Sequence, residues 1–159
     1  MTLLQFHVIV SLIGIVSGLI VAYGLVIGRR LPAWTALFLV TTILTSATGF
    51  PLPPFGFDPP RAVGIISLVL LALAVIALYG LRLAGPWRWI YVVTATAALY
   101  LNVFVGIVQA FGKIAPLQAL APTQSEAPFV VAQLLALVAF IALGWYAVRT
   151  FKPTPAAQS

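Results

Sequence analysis

The sequence predicts an all-α membrane protein built as a bundle of five transmembrane helices. Hydrophobic residues make up 63% of the chain and charged residues only 6%, whereas a soluble domain carries about a quarter charged residues. The apolar runs between the charges are close to the roughly 20 residues that a helix needs to cross a bilayer core of about 30 Å. Strands of a membrane β-barrel would be about half as long and would alternate in polarity, and these runs do neither.

Five segments are predicted to form the spanning helices, and they leave no room for a separate soluble domain. They are residues 7–27, 33–50, 62–81, 89–111 and 128–148. Residues 1–159 therefore form a single transmembrane domain, in which residues 150–159 are a short cytoplasmic tail. Short basic turns follow the first and third segments, and longer connections rich in proline or polar residues follow the second and fourth.

The distribution of charge predicts the orientation. Of the eight lysines and arginines, two lie in the longer connections, Arg61 and Lys113, beside the two acidic residues Asp58 and Glu126. The other six lie in the short turns and the tail: Arg29, Arg30, Arg82, Arg88, Arg149 and Lys152. By the positive-inside rule, the C-terminus is cytoplasmic and the N-terminus outside. The net charge of +6 thus reflects topology, and we expect no nucleic-acid partner.

The first segment carries small residues at helical spacing. Gly14 and Gly18 form a GxxxG pair, and Gly24 and Gly28 follow. Small residues let another helix approach closely, so the segment either packs within the protein, which we favour, or forms a dimer seam or a docking surface for a partner subunit. It lacks a basic n-region, and its arginines follow its apolar run, so we interpret it as an uncleaved helix.

Threonines concentrate in the outer half of the second segment. Hydroxyls in membrane helices usually bond to carbonyls of their own preceding turn or to a neighbouring helix. The alternative for the second segment is an outer cavity lined by hydroxyl groups. The threonine-rich stretch contains Thr41, Thr42, Thr45, Ser46 and Thr48.

The fourth segment is amphipathic when projected at about 100° per residue. Asn102, Gln109 and Lys113 fall on a small, polar face that also contains Tyr91, Thr94, Ala98 and Gly106. Tyr100, Phe104 and Phe111 point the opposite way. We therefore expect lipid against the aromatic residues and protein against the two amides, because a buried amide without a partner costs several kcal/mol.

The fifth segment extends this polar pattern. Glu126 and Gln133 are seven residues apart, on one helical face. If the fourth and fifth helices pack together, five side chains are expected to converge just inside the outer leaflet: Asn102, Gln109, Lys113, Glu126 and Gln133. Such a cluster is either a structural amide network with a Lys113–Glu126 ion pair, or a pocket for a small polar ligand or for a lipid or quinone headgroup.

The residues that could carry chemistry are few. His7 is the single histidine and there is no cysteine, which excludes a bis-imidazole haem, a three-histidine zinc site and thiolate chemistry. We expect neither a metal nor a cofactor. His7 lies at the outer boundary, where it is either an interfacial anchor or a proton-handling or quinone-contacting group. No ionisable residue lies near mid-membrane, which disfavours proton coupling.

A resemblance is carried by three stretches of the second half of the chain. They are Trp87-Arg88-Trp89-Ile90-Tyr91-Val92-Val93, Leu99-Tyr100-Leu101-Asn102-Val103-Phe104-Val105 with Gln109, Phe111 and Lys113, and Ala121-Pro122-Thr123-Gln124-Ser125-Glu126. On these the chain resembles a group of short, uncharacterised bacterial inner-membrane proteins. The resemblance implies a bacterial cytoplasmic membrane and brings no activity. Four-helix DoxX-like proteins do not fit the number of spans or the loop pattern.

Together these observations predict a non-catalytic accessory or ligand-binding membrane subunit. Its expected partners are membrane lipids, a protein partner or second copy on the first helix, and a quinone or small polar ligand at the outer cluster. The first alternative is a small-solute channel or carrier acting as a homo-oligomer, lined by the second and fourth helices. The second is a membrane enzyme acting on a lipid headgroup, with Glu126 or His7 as general base.

Overall fold

The computed structural model describes residues 2–52 and 59–152, and every regular element in them is helical. The predicted all-α class is confirmed for this part of the chain. The helices are α1 (Leu3–Val26), α2 (Pro32–Gly49), α3 (Pro59–Val75), α4 (Trp87–Lys113), α5 (Ala115–Leu120) and α6 (Ala127–Thr150). A π-helical turn, Ile76–Gly80, continues α3. The five predicted segments coincide with the long helices, whereas the six-residue α5 is too short to produce a recognisable periodicity.

Four helices are long and apolar enough to cross a membrane, namely α1, α3 with its π turn, α4 and α6. Their length and composition suggest a multi-pass membrane protein, but α2 is not among these four. It has 18 residues, six of which are threonine or serine. It nevertheless packs against α1 and α3.

The helices alternate in direction, so that each end of the bundle collects particular residues. At one end, His7 near the start of α1 meets Thr48 near the end of α2. At the other, the Thr150 hydroxyl near the end of α6 donates to the carbonyl oxygen of Leu25 near the end of α1, 3.1 Å away. We refer to this second end as the basic end, because it holds Arg29, Arg30, Arg82, Arg88, Arg149 and Lys152. The opposite end is the loop end.

Two tight turns at the basic end contain residues with positive φ, in the left-handed region of backbone conformation. Gly28 ends α1 with a φ of +71°, and the Arg29 amide bonds back to the Gly24 carbonyl, as in a Schellman motif. A Cβ on Gly28 would also lie 3.1 Å from the Thr150 carbonyl oxygen. After the π turn, Arg82 and Leu83 adopt φ values of 50° and 62°, which is uncommon for residues other than glycine.

The fourth helix is the centre of the bundle, in contact with α1, α3 and α6. Its buried residues include Val92, Ala95, Ala98 and Leu99. By contrast, α6 buries only Ala147 and lies at the periphery.

The expectation that lipid covers the aromatic face of α4 is wrong, because α6 packs there. The Phe111 ring meets Phe129 edge to face with centroids 5.4 Å apart, and the Tyr100 ring lies 5.8 Å from Phe140. A projection of one helix cannot separate these cases, because lipid chains and an apolar neighbouring helix select the same side chains.

Candidate functional site

The five residues expected to converge near the outer leaflet are dispersed over the bundle. Asn102 is buried and faces α1 and α2, whereas Gln133 lies at the α4–α6 interface and donates to the Phe104 carbonyl oxygen at 3.2 Å. Gln109 and Lys113 are exposed. The expected cluster fails because α4 presents Asn102 and Phe104 to different neighbours, and α6 covers only one of them.

The predicted Lys113–Glu126 ion pair does not form. The Glu126 carboxylate instead accepts hydrogen bonds from the Thr123 hydroxyl at 2.8 Å and from the Thr123 and Ser125 amides. Desolvation would raise the pKa of Glu126, but these hydrogen bonds outweigh it and hold the pKa below its usual value. Glu126 therefore organises the turn before α6 and is bound to its own loop.

Asn102 belongs to a polar seam where α1, α2 and α4 meet over Gly14. A Cβ on Gly14 would lie 3.0 Å from Asn102 Nδ2, 3.1 Å from Thr42 Oγ1 and 3.3 Å from Thr41 Oγ1. Ser17 is buried one turn along α1 and donates to the Ile13 carbonyl oxygen at 2.6 Å. Glycine at position 14 therefore leaves the space in which polar side chains of two other helices meet.

Two atoms of this seam have no hydrogen-bond partner. Thr41, Thr45 and Thr48 donate to the carbonyl oxygens of Leu37, Thr41 and Leu44, which confirms the expected bonding of hydroxyls within α2. Thr42 Oγ1 and Asn102 Nδ2, in contrast, are buried and unpaired. An unpaired buried polar group costs about 1–3 kcal/mol, so these two atoms lower the stability of the folded state.

The glycines of α1 pack against elements of the same chain. A Cβ on Gly18 would lie 2.8 Å from the Phe38 ring and would also collide with Leu99. At Gly24 it would lie 2.9 Å from the side chain of Leu31. Gly14, Gly18, Gly24 and Gly28 all meet intramolecular neighbours at close range, so these contacts support the packing alternative over a docking seam.

The sole histidine joins α1 to α2 at the loop end. His7 Nδ1 lies 3.0 Å from Thr48 Oγ1, and the Thr48 hydroxyl uses its proton on the Leu44 carbonyl oxygen at 2.6 Å. Nδ1 of His7 is therefore the donor, which leaves Nε2 as the acceptor of the neutral ring. This contact fits the anchoring role expected for a boundary histidine.

A shallow, open groove that is apolar and has one cationic residue at its rim also lies at the loop end. It has a volume of about 400 Å³ and is lined by Leu4, Gln5, Val8, Ile9 and Lys113. Four of these residues come from the first two turns of α1, and Lys113 is the last residue of α4. Of the predicted site residues, the groove contains Lys113, and His7 lies on the same stretch of α1.

A second cavity, at the basic end, was not anticipated. It measures about 30 Å³ and lies between the ends of α1 and α3 and the starts of α2 and α4. Arg29, Arg30, Thr35, Tyr79 and Tyr91 supply its polar lining. Sequence spacing cannot reveal it because these residues come from four separate segments. In the sequence, the one feature that pointed to this cavity was the adjacent Arg29-Arg30 pair, which has no acidic residue near it.

Other basic residues at this end have defined contacts. Arg88 Nη1 donates to the carbonyl oxygens of Val148 and Phe151, at 2.7 and 2.6 Å, and so closes the C-terminal end of α6. The Arg149 guanidinium lies 3.7 Å from the centroid of the Trp145 ring, a cation–π geometry.

Comparison with known protein families, with curated proteins and with solved structures finds no match to this chain. Its function is therefore inferred from its own residues.

Proposed function

We propose that the chain crosses the bacterial cytoplasmic membrane five times, with α2 as the fifth span. The support is the pairing of α2 with α1. The length and composition of α1 are those of a membrane-crossing helix. Thr48 contacts His7 at the loop end, and Thr35 lines the cavity at the basic end beside Leu25. A helix that packs along a membrane-crossing helix from one end to the other lies at the same depth in the membrane. The 18 residues of α2 extend about 27 Å at 1.5 Å per residue.

In the proposed orientation, the basic end faces the cytoplasm and the loop end faces outward. The chain has no cysteine, so single cysteines report topology cleanly. Ser125→Cys is expected to react with a membrane-impermeant thiol reagent in intact spheroplasts. The matched variant Ala84→Cys, in the turn between α3 and α4, is expected to react only after lysis. The reverse pattern would invert the orientation.

We propose a non-catalytic accessory or ligand-binding subunit whose outward face holds a lipid or quinone headgroup or a partner protein. The observation that carries this proposal is the groove of about 400 Å³ at the loop end. Leu4, Val8 and Ile9 offer an apolar wall for a chain, and Lys113 places an ammonium at the rim. Ligand sites combine apolar walls with a few polar groups in this way.

An acidic lipid headgroup is the ligand that best fits the rim of the groove. Glu126 is the only carboxylate in the described residues, and its oxygens are bonded within its own loop. Lys113 therefore has its charge available for an anionic partner, and Gln5 adds a neutral polar group beside it. The same reasoning makes a catalytic role less favoured, because the two candidate bases, His7 and Glu126, are both engaged in structural hydrogen bonds.

The test is lipid binding by the purified protein in mild detergent. Native mass spectrometry with phosphatidylglycerol is expected to show one bound lipid that Lys113→Gln removes and Lys113→Arg retains. Ile9→Trp, which fills the groove without changing charge, is expected to remove it as well. Unchanged phosphatidylglycerol binding in both Lys113→Gln and Ile9→Trp would reject the proposal. Displacement of the lipid by a soluble quinone would assign the groove to a quinone.

A small-solute channel or carrier is the second candidate, favoured by the unpaired Asn102 and Thr42 atoms between α1, α2 and α4. Against a continuous path, Phe38 and Leu99 close tightly over Gly18. Solute flux in liposomes that contain only this protein, abolished by Asn102→Leu, would favour transport over the accessory role.

A further inference from the structure

The cavity at the basic end is lined by both polar and apolar side chains. Val21, Leu25, Leu78 and Phe151 form the floor. Thr35 and Tyr91, both buried, place hydroxyl groups on its wall. A volume of about 30 Å³ exceeds the roughly 10–15 Å³ that a cavity needs to hold one water molecule. The cavity can therefore take one oxygen of a larger group that stays outside it.

The rim of the cavity is cationic, and none of the described carboxylates lies near it. Arg29 and Arg30 line it and are exposed. Glu126, the only acidic residue among those that the structure describes, lies in the connection at the opposite end. Arg88 is bonded to the end of α6 and Arg149 stacks on Trp145. Within the described residues, no carboxylate is therefore available at this end to pair with Arg29 and Arg30.

The start of α2 adds to the positive potential at the same place. α2 begins with Pro32, and no side chain caps it at Leu31. The first N–H groups of a helix have no partner within the helix, and they carry a partial positive charge. Leu31 and Pro32 themselves line the cavity, so the positive end of the α2 dipole lies beside Arg29 and Arg30.

We propose that Arg29 and Arg30 bind a phosphate group over this cavity, with one phosphate oxygen directed toward the hydroxyls of Tyr91 and Thr35. Guanidinium groups match phosphate oxygens in planar, charge-assisted hydrogen bonds. The phosphate belongs either to a phospholipid headgroup or to free inorganic phosphate. This site is at the opposite end of the bundle from the groove with Lys113, so each proposal stands or fails separately.

The experiment measures the binding of short-chain phosphatidic acid and of inorganic phosphate to the full chain in detergent, by thermal shift and native mass spectrometry. Dihexanoyl phosphatidylcholine is the control ligand. Phosphatidic acid is expected to raise the melting temperature. The double variant Arg29→Gln/Arg30→Gln is expected to weaken binding about tenfold or more, because it removes both charge-assisted donors.

The matched control is Arg82→Gln/Arg149→Gln, which removes the same charge from the same end and is expected to bind within about twofold of the unmodified chain. Tyr91→Phe keeps all charges and is expected to weaken binding measurably. If the Gln double variant does not fold, Arg29→Lys/Arg30→Lys replaces it and is expected to lose affinity through its altered geometry.

The outcomes separate the sources and the alternatives. Competition by inorganic phosphate with the same dependence on Arg29 and Arg30 assigns the site to free phosphate. Binding of phosphatidic acid alone assigns it to a lipid headgroup. Equal weakening by the two Gln double variants would mean that only diffuse attraction acts, and it would overturn the proposal. So would the absence of binding by both phosphate compounds.

Discussion

The side-chain nitrogen of Asn102 lies 3.0 Å from the point where a Cβ on Gly14 would stand. The missing side chain of Gly14 in α1 therefore leaves space for the amide of Asn102 in α4. The same glycine also faces Thr42 in α2. Together with Gly18, which faces Phe38 and Leu99, it fixes how closely α1 approaches α2 and α4. The polar contacts at Gly14 and the apolar contacts at Gly18 thus form because neither residue has a side chain.

Gly18→Ala is expected to destabilise the protein by about 1–3 kcal/mol, because the added methyl overpacks the contact with Phe38 and Leu99. Gly64→Ala is the control, since a Cβ there would make an ordinary contact of 3.6 Å with the Phe50 ring. Equilibrium unfolding in detergent measures both. A Gly18 variant as stable as the Gly64 variant would show that α1 does not pack closely on α2 and α4.

Thr42→Val is expected to stabilise the protein by about 1–3 kcal/mol. The unpaired Thr42 hydroxyl is replaced by a methyl group of nearly the same shape, which removes the cost of a buried polar atom. Thr41→Val is the control and is not expected to stabilise, since the Thr41 hydroxyl donates to Leu37. Thermal unfolding of both variants checks this. Destabilisation by Thr42→Val would show that the hydroxyl has a bound partner such as water.

Phe111→Ala is expected to lower stability by about 2 kcal/mol or more, because Phe111 is buried against Phe129. Gln109→Leu, at an exposed position two residues earlier on the same helix, is expected to leave it unchanged. Thermal stability in detergent distinguishes the two. A larger loss from Gln109→Leu would restore the orientation of α4 that the sequence projection predicted.

The Glu126 carboxyl is expected to titrate below the usual glutamate range, because the Thr123 hydroxyl and loop amides stabilise its charged form. A group with a lowered pKa in the folded state stabilises that state above its unfolded pKa, and this contribution is lost as the pH falls through the lowered folded value. The loop before α6 should therefore loosen only in acid.

Carbon NMR of glutamate-labelled protein tests this directly, since Glu126 is the only glutamate in the chain. Thr123→Val is expected to raise the pKa toward its usual value by removing the hydroxyl donor. Ser125→Ala keeps its backbone donor and is expected to have a smaller effect. An unchanged titration in Thr123→Val would indicate that the amides alone hold the carboxylate.

Particular residues show how far the site could be anticipated. The sequence left two roles for His7, an anchor at the boundary or a proton-handling or quinone-contacting group, and its hydrogen bond to Thr48 fits the anchor. Lys113 was placed correctly at the loop end, but its neighbours are Leu4, Gln5 and Val8 and not Glu126. The spacing of Glu126 and Gln133 predicted a shared face, yet the carboxylate bonds to Thr123, which is closer in sequence than any partner on α4.

The sequence by itself determined the all-helical class, the positions of the long helices and the collection of six cations at one end. These follow from local composition, because apolar runs of membrane length form helices and short basic turns separate them. Only the tertiary structure decided that α4 is central, that α6 covers its aromatic face, and that Arg29, Thr35 and Tyr91 line one cavity. Which faces meet depends on helix rotation and on close approach at glycines, and neither is encoded in the hydropathy of a single segment.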